Sequence, residues 1–191
     1  MKKLYLLIAL IAAAPNVHAD PNKTYHNAFN TCYPTKAAIN NYEPKVFETS
    51  NNLMRKPGGN PVVCGEKLIL RGRVLDKNCV PVADAKVYLW QVGCDGKYPY
   101  EPLRNVADSK YINIHSGSSF TGNGAATTDN NGEFQFITIY PAKSEHHKRN
   151  INIRIEHREL EALQTQIDPI AGNETYDFTI VMGEKNKFRK Y

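Results

Sequence analysis

The chain has no convincing long helical pattern and, past its first fourteen residues, no apolar run long enough to cross a bilayer. It has no Cys-x-x-Cys pair, which argues against a zinc ribbon or a thioredoxin-type redox site. No glycine-rich loop opens a helix, so a phosphate-cradling nucleotide site is excluded. The serines near residues 116–119 stand in a Gly-rich stretch with no nearby base–acid pattern, which speaks against a serine hydrolase. The net charge of +5 falls to +3 without Lys2 and Lys3, and the basic residues cluster only at 143–149 and 185–190. A nucleic-acid binder needs a broad basic face interleaved with aromatics, and none is present.

Lys2 and Lys3 precede an apolar run over 4–14 that is too short for a membrane span, and Val17 and Ala19 are small residues at the positions a signal peptidase reads. Residues 1–19 are therefore expected to be a bacterial-type signal peptide. The remaining chain is then exported, periplasmic or secreted, with no transmembrane segment. Four cysteines remain, Cys32, Cys64, Cys79 and Cys94; an even count in an exported chain points to two disulfides, and four cysteines allow three pairings. Cys64 precedes one expected strand and Cys94 follows the next. If the two strands lie side by side and antiparallel, these cysteines fall at the same end, which favours Cys64–Cys94 and leaves Cys32–Cys79.

Residues 20–60 are rich in Asn, Pro, Thr, Lys and Tyr without a sustained period, and read as an irregular N-terminal arm wrapped on the body. Its aromatics, among them Tyr42 and Phe47, argue for packing rather than disorder. One helical turn is expected within 35–41. Residues 61–191 form the domain. Strict alternation predicts strands over 67–75, 86–92, 133–140, 149–156 and 176–182. Asp129-Asn130-Asn131-Gly132 is a hairpin signal, since Asn-Gly takes positive φ readily. Residues 96–125 read as a long loop and 159–163 as a helical turn. Short strands with turn punctuation define an all-β, prealbumin-like β-sandwich.

Several motifs in order are more specific than that. Trp90-Gln91 is followed by Gly96-Lys97-Tyr98; Thr138-Ile139-Tyr140-Pro141 comes next; Thr165-Gln166 and Tyr176-Asp177-Phe178-Thr179-Ile180-Val181 close the series. Together with Asn51-Asn52-Leu53, this order resembles the intradiol ring-cleavage dioxygenases, the protocatechuate and catechol dioxygenases, over roughly residues 44–191. The resemblance implies oxygen insertion into a small catechol-like aromatic at a non-haem ferric ion held by two tyrosines and two histidines. It also implies a homo-oligomer as one form of assembly.

On that resemblance Tyr98 matches the first tyrosine ligand, and Arg149 matches a catalytic arginine that stabilises charge. Ser144 stands at the second tyrosine, and Asn152 and Arg154 at the two histidines. An amide is a poor donor to ferric iron, and a guanidinium stays protonated in a protein. At about 4 Å two like unit charges repel by roughly 4 kcal/mol at an effective dielectric of about 20, and a higher ionic charge raises this. Substitute donors within the sequence are Tyr140, His146 and His147. Ferric iron is expected if these rebuild the site, and no cofactor otherwise. The alternative is an exported, non-catalytic sandwich of the same descent that binds a partner such as an envelope protein.

Overall fold

In a computed structural model the described residues are 32–185, except 57, 61–63, 107, 116–117, 143–149 and 171. The expected signal peptide and the residues Ser144, His146, His147 and Arg149 lie outside them. Among the described residues seven strands form two sheets: β1 (Lys67–Leu75), β2 (Lys86–Trp90), β3 (Asn123–Thr127), β4 (Glu133–Ile139), β5 (Ile151–Glu156), β6 (Leu163–Ile167) and β7 (Thr175–Val181). One sheet has the order β4-β1-β7, the other β3-β2-β5-β6. The β1–β7 pair is parallel; every other strand pair is antiparallel. The all-β sandwich expected from the alternation is the observed fold.

Strand alternation places Leu68, Leu70 and Val74 of β1 against Val87, Leu89, Ile153 and Ile155 of the facing sheet, all fully buried. Each such side chain contributes about 1.5–3 kcal/mol through removal from water. Gly72 continues the inward face of β1 without a side chain. The Phe134 ring takes that space, and a Cβ at Gly72 would lie 2.1 Å from it.

Two motifs far apart in sequence join the sheets. The buried Gln91 donates through Nε2 to the Ile139 carbonyl at 2.9 Å, and its Oε1 accepts from Thr138 Oγ1 at 2.9 Å. Both disulfides form as expected, Cys32–Cys79 and Cys64–Cys94.

Four local expectations need correction. β1 and β2 do not lie side by side but in opposite sheets, so Cys64–Cys94 bridges the sandwich rather than one sheet end. The Asp129–Gly132 turn joins β3 to β4, again across sheets. Its chemistry is as expected: Asp129 Oδ1 accepts from the Asn131 and Glu133 amides, and Gly132 takes φ +72°. Residues 159–163 are not helical; β6 begins at Leu163, fixed at the sheet edge by β5 and by the arm, with Ala38 N donating to the Gln164 carbonyl and Thr165 Oγ1 to that of Lys36. No helix forms within 35–41, because the arm's backbone is spent on strands of the body, including Thr35 N to the Val181 carbonyl at 3.0 Å.

Candidate functional site

The side chains of β5 sort by the period of two. Ile151, Ile153 and Ile155 point into the core, so Asn152 and Arg154 share the outer face of the sheet. Register sets their neighbours: Asn152 lies opposite Trp90 and Gln166, and Arg154 opposite Tyr88 and Gln164. The arm covers this face and delivers Asn40, Tyr42, Glu43 and Phe47. Tyr98 arrives from the segment after β2, held by backbone bonds to Tyr111 and Asn113.

Asn40 is the hub of the arrangement. Its Oδ1 accepts from Trp90 Nε1 at 3.1 Å and from the Tyr42 amide, and its Nδ2 donates to the Tyr98 hydroxyl at 3.2 Å. Tyr98 is buried and stacks on Tyr42 with centroids 4.8 Å apart. Burial raises its phenol above the usual tyrosine range, moderated by the amides of Asn40 and Asn152. Tyr100 packs beside it at 5.7 Å, and its hydroxyl is buried without a hydrogen-bond partner. Burial, and then the charges of Tyr98 and Glu43, push that phenol well up.

Asn152 is committed at both ends of its amide: Nδ2 donates to the Trp90 carbonyl at 3.1 Å, and Oδ1 accepts from Gln166 Nε2 at 2.9 Å. Arg154 pairs through Nη1 with Glu43, and its Nε lies 3.3 Å from Glu156 Oε1. Its guanidinium also lies over the rings of Tyr88, at 4.7 Å, and Phe47, at 5.4 Å. Tyr140 is elsewhere. It belongs to the main core, whereas Tyr98 packs with Trp90 and Val92, and its hydroxyl lies against the carbonyls of Ile170 and Asn173 at 2.8 and 2.5 Å. The structure thus brings Tyr98, Asn152 and Arg154 together and leaves Tyr140 outside their group. Clefts of about 680 and 780 Å³ open on other parts of the surface and are not lined by these residues.

A ferric ion needs several donors with free lone pairs and a net negative or neutral surrounding. Of the residues that the resemblance aligns with ligands, Asn152 has both ends of its amide engaged and Arg154 is a permanent cation. Tyr98 is left as the one matched phenol. No group of three or more His, Cys, Asp or Glu among the described residues could hold a metal ion. The described residues therefore do not fit the ferric centre.

Sequence reasoning missed Glu43, Asn40 and Tyr100. Glu43 is the only acidic residue between Asp20 and Glu48, an isolated carboxylate in a neutral-to-basic arm, and that was the available signal.

With this geometry established, the ancestry of the chain is clear. Residues 40–159 match the protein family described as "Dioxygenase". A candidate dioxygenase of Rickettsia felis is 55% identical over 147 residues, 77% of this chain and 71% of that protein. The protocatechuate 3,4-dioxygenase beta chain of Burkholderia cepacia is 32% identical over 83 residues, 44% of this chain and 32% of that one. The 3-chlorocatechol 1,2-dioxygenase of Rhodococcus opacus 1CP shares the fold at a TM-score of 0.58 and 18% identity, over 78% of this chain and 72% of that one. The chain belongs to the intradiol dioxygenase family.

Proposed function

We propose that this chain is an exported member of the intradiol dioxygenase family that works without the family's iron, as a binding or envelope-interaction module. The observation that carries the reading is the Arg154–Glu43 pair: if Arg154 stands at a histidine position, as the resemblance implies, a permanent cation held by its own counter-ion takes the place of a neutral donor. Two disulfides suit the oxidising compartment that export implies.

A second reading keeps the family's activity: intradiol oxygen insertion into a catechol-like aromatic at ferric iron. The 55% identity to a candidate dioxygenase over most of this chain favours it. On that reading Tyr98 binds the metal, Arg149 stabilises charge, and further donors come from His146 and His147.

One measurement decides between the two. Purified protein is loaded with ferric iron and followed by visible absorption and by oxygen uptake with catechol. The first reading expects no tyrosinate-to-iron band and no catechol-dependent uptake. A stoichiometric band that is lost in Tyr98→Phe would refute it, and catechol-dependent uptake alongside that band would establish the second.

A further inference from the structure

Beyond β7 the chain passes the rim of an acidic cleft. Glu184 forms an antiparallel bridge with Leu160, and the Glu161 amide donates to the Gly183 carbonyl at 3.0 Å. Carried on in the same sense, the chain after Glu184 would run back past Glu159, Arg158, His157 and Glu156, all of which line a cleft of about 680 Å³. Lys185 takes the first step, since its Nζ donates to the Arg158 carbonyl. Lys77 pairs with Glu184 at 2.8 Å and fixes the point of departure.

The cleft is opposite in sign to the chain as a whole. Asp76, Asp84, Glu156 and Glu159 line it against the fixed cations Lys86 and Arg158, four carboxylates to two cations, on a chain of net charge +5. Glu156 is shared with Arg154 and Glu159 with Arg158, each at 3.3 Å, and Asp76 Oδ1 accepts from the Asn78 and Val80 amides. The Asp84 carboxylate has no hydrogen-bond or salt-bridge partner among the described residues. Residues 186–191, outside the described ones, read Asn-Lys-Phe-Arg-Lys-Tyr: three cations and no acid. Six residues reach at most about 20 Å when extended, ample for a cleft of this volume. In an extended chain Lys187 and Arg189 follow Lys185 on one side, the side from which its Nζ already meets the lining.

We propose that this cleft is the docking site of the chain's own segment 186–191, with Lys187 and Arg189 turned toward its carboxylates. The inference stands whether or not the chain holds iron. It makes the cleft selective for basic segments and covers it in cis, so that a partner of the same charge pattern must displace residues 186–191 first.

Carbodiimide cross-linking of the intact protein, read by mass spectrometry, tests the proposal. Lys67–Glu174 and Lys77–Glu184, at 2.7 and 2.8 Å, are the internal controls. Links are expected from Lys187 or Lys190 to Asp84, Glu156 or Glu159, within one chain and diminished by about 1 M salt, which screens exposed charges. Control links without these, or the same links only between isotopically distinct copies, would overturn it.

Competition gives a second readout. A labelled peptide of residues 185–191 is titrated into the intact protein, into the protein lacking 186–191, and into that shortened protein carrying Asp84→Lys/Glu159→Lys, with folding checked by circular dichroism. A tethered segment has an effective concentration of about 1 mM at its own site, so a peptide with a Kd of about 0.1 mM for the open cleft should bind the intact chain about tenfold more weakly. The charge-reversed variant should lose binding. No binding to the shortened chain, equal affinity for shortened and intact chains, or undiminished binding to the charge-reversed one would each overturn the proposal.

Discussion

The Glu43–Arg154 pair lends itself to a double-mutant cycle. Glu43→Ala strands a guanidinium against two aromatic rings; Arg154→Ala strands a carboxylate under the arm. Breaking a fully buried pair by removing one partner costs about 3–5 kcal/mol. Here the side chains are 26% and 14% exposed, and Glu156 stays within 3.3 Å of Arg154 Nε. The Glu43→Ala loss is therefore set lower, at about 2 kcal/mol, and the coupling energy at about 1.5 kcal/mol. Lys45–Glu101 is an internal control: its side chains are 58% and 67% exposed, and pairs of that kind couple by about 0.2–1 kcal/mol. The assay is urea unfolding with disulfides intact. A loss of about 2 kcal/mol moves the midpoint by about 1 M when the slope is about 2 kcal/mol per molar. Salt should erode the Lys45–Glu101 coupling and spare most of the Glu43–Arg154 coupling. A Glu43–Arg154 coupling no larger than that of the control would refute the view of this pair as an organised centre.

Alkaline titration tests the buried phenols. Tyr98 and Tyr100 titrate above 10.0 in the folded chain because burial disfavours the phenolate, so the unfolded chain releases these protons first. Their stabilising contribution is complete below the unfolded value and is lost as pH rises from there towards the folded values. Phenolate absorbance should therefore show a fraction of the tyrosines ionising only with unfolding, and a fraction smaller by one in Tyr100→Phe. Gly72→Ala should destabilise by about 1–3 kcal/mol, since its Cβ would meet the Phe134 ring at 2.1 Å. Adding Phe134→Leu should recover part of that loss in the same urea assay, and no recovery would place the strain elsewhere. The disulfides span 47 and 30 residues, so each should contribute about 4 kcal/mol by the loop-entropy argument, read as the midpoint shift of each Cys→Ser pair.

What the sequence disclosed depended on how far each contact reaches along the chain. β1, β4 and β5 were legible because each carries its burial code as a local period of two. β3 and β6 were not: Asn-Gly-Ala-Ala-Thr has little strand character, and β6 owes its place to β5 and to Lys36 and Ala38 of the arm. The disulfide pairing was right on a mistaken premise, since closeness of the strand ends does not require a shared sheet. At the site, the i and i+2 spacing of Asn152 and Arg154 sufficed to place both on one face. Their partners were hidden because Glu43 meets Arg154 across a separation of 111 residues, a distance at which no local pattern survives.

Asn152 and Arg154 on one face of β5 make physical sense only together with the arm. Arg154 alone on this face would be a half-buried charge with the partial support of Glu156; Glu43 completes it. An imidazole at position 152 has one donor and one acceptor in a fixed ring geometry. The Asn152 amide instead spans the Trp90 carbonyl on β2 and Gln166 on β6, hydrogen-bonding across the sheet where a ligand would point outward. Asn40 then ties Trp90 to Tyr98, so the matched phenol is held by an amide of the arm. Strand, loop and arm close one polar circuit over this face of the sheet. Every link in that circuit is a group of the polypeptide itself, so on the proposed iron-independent reading chelators should leave its stability unchanged.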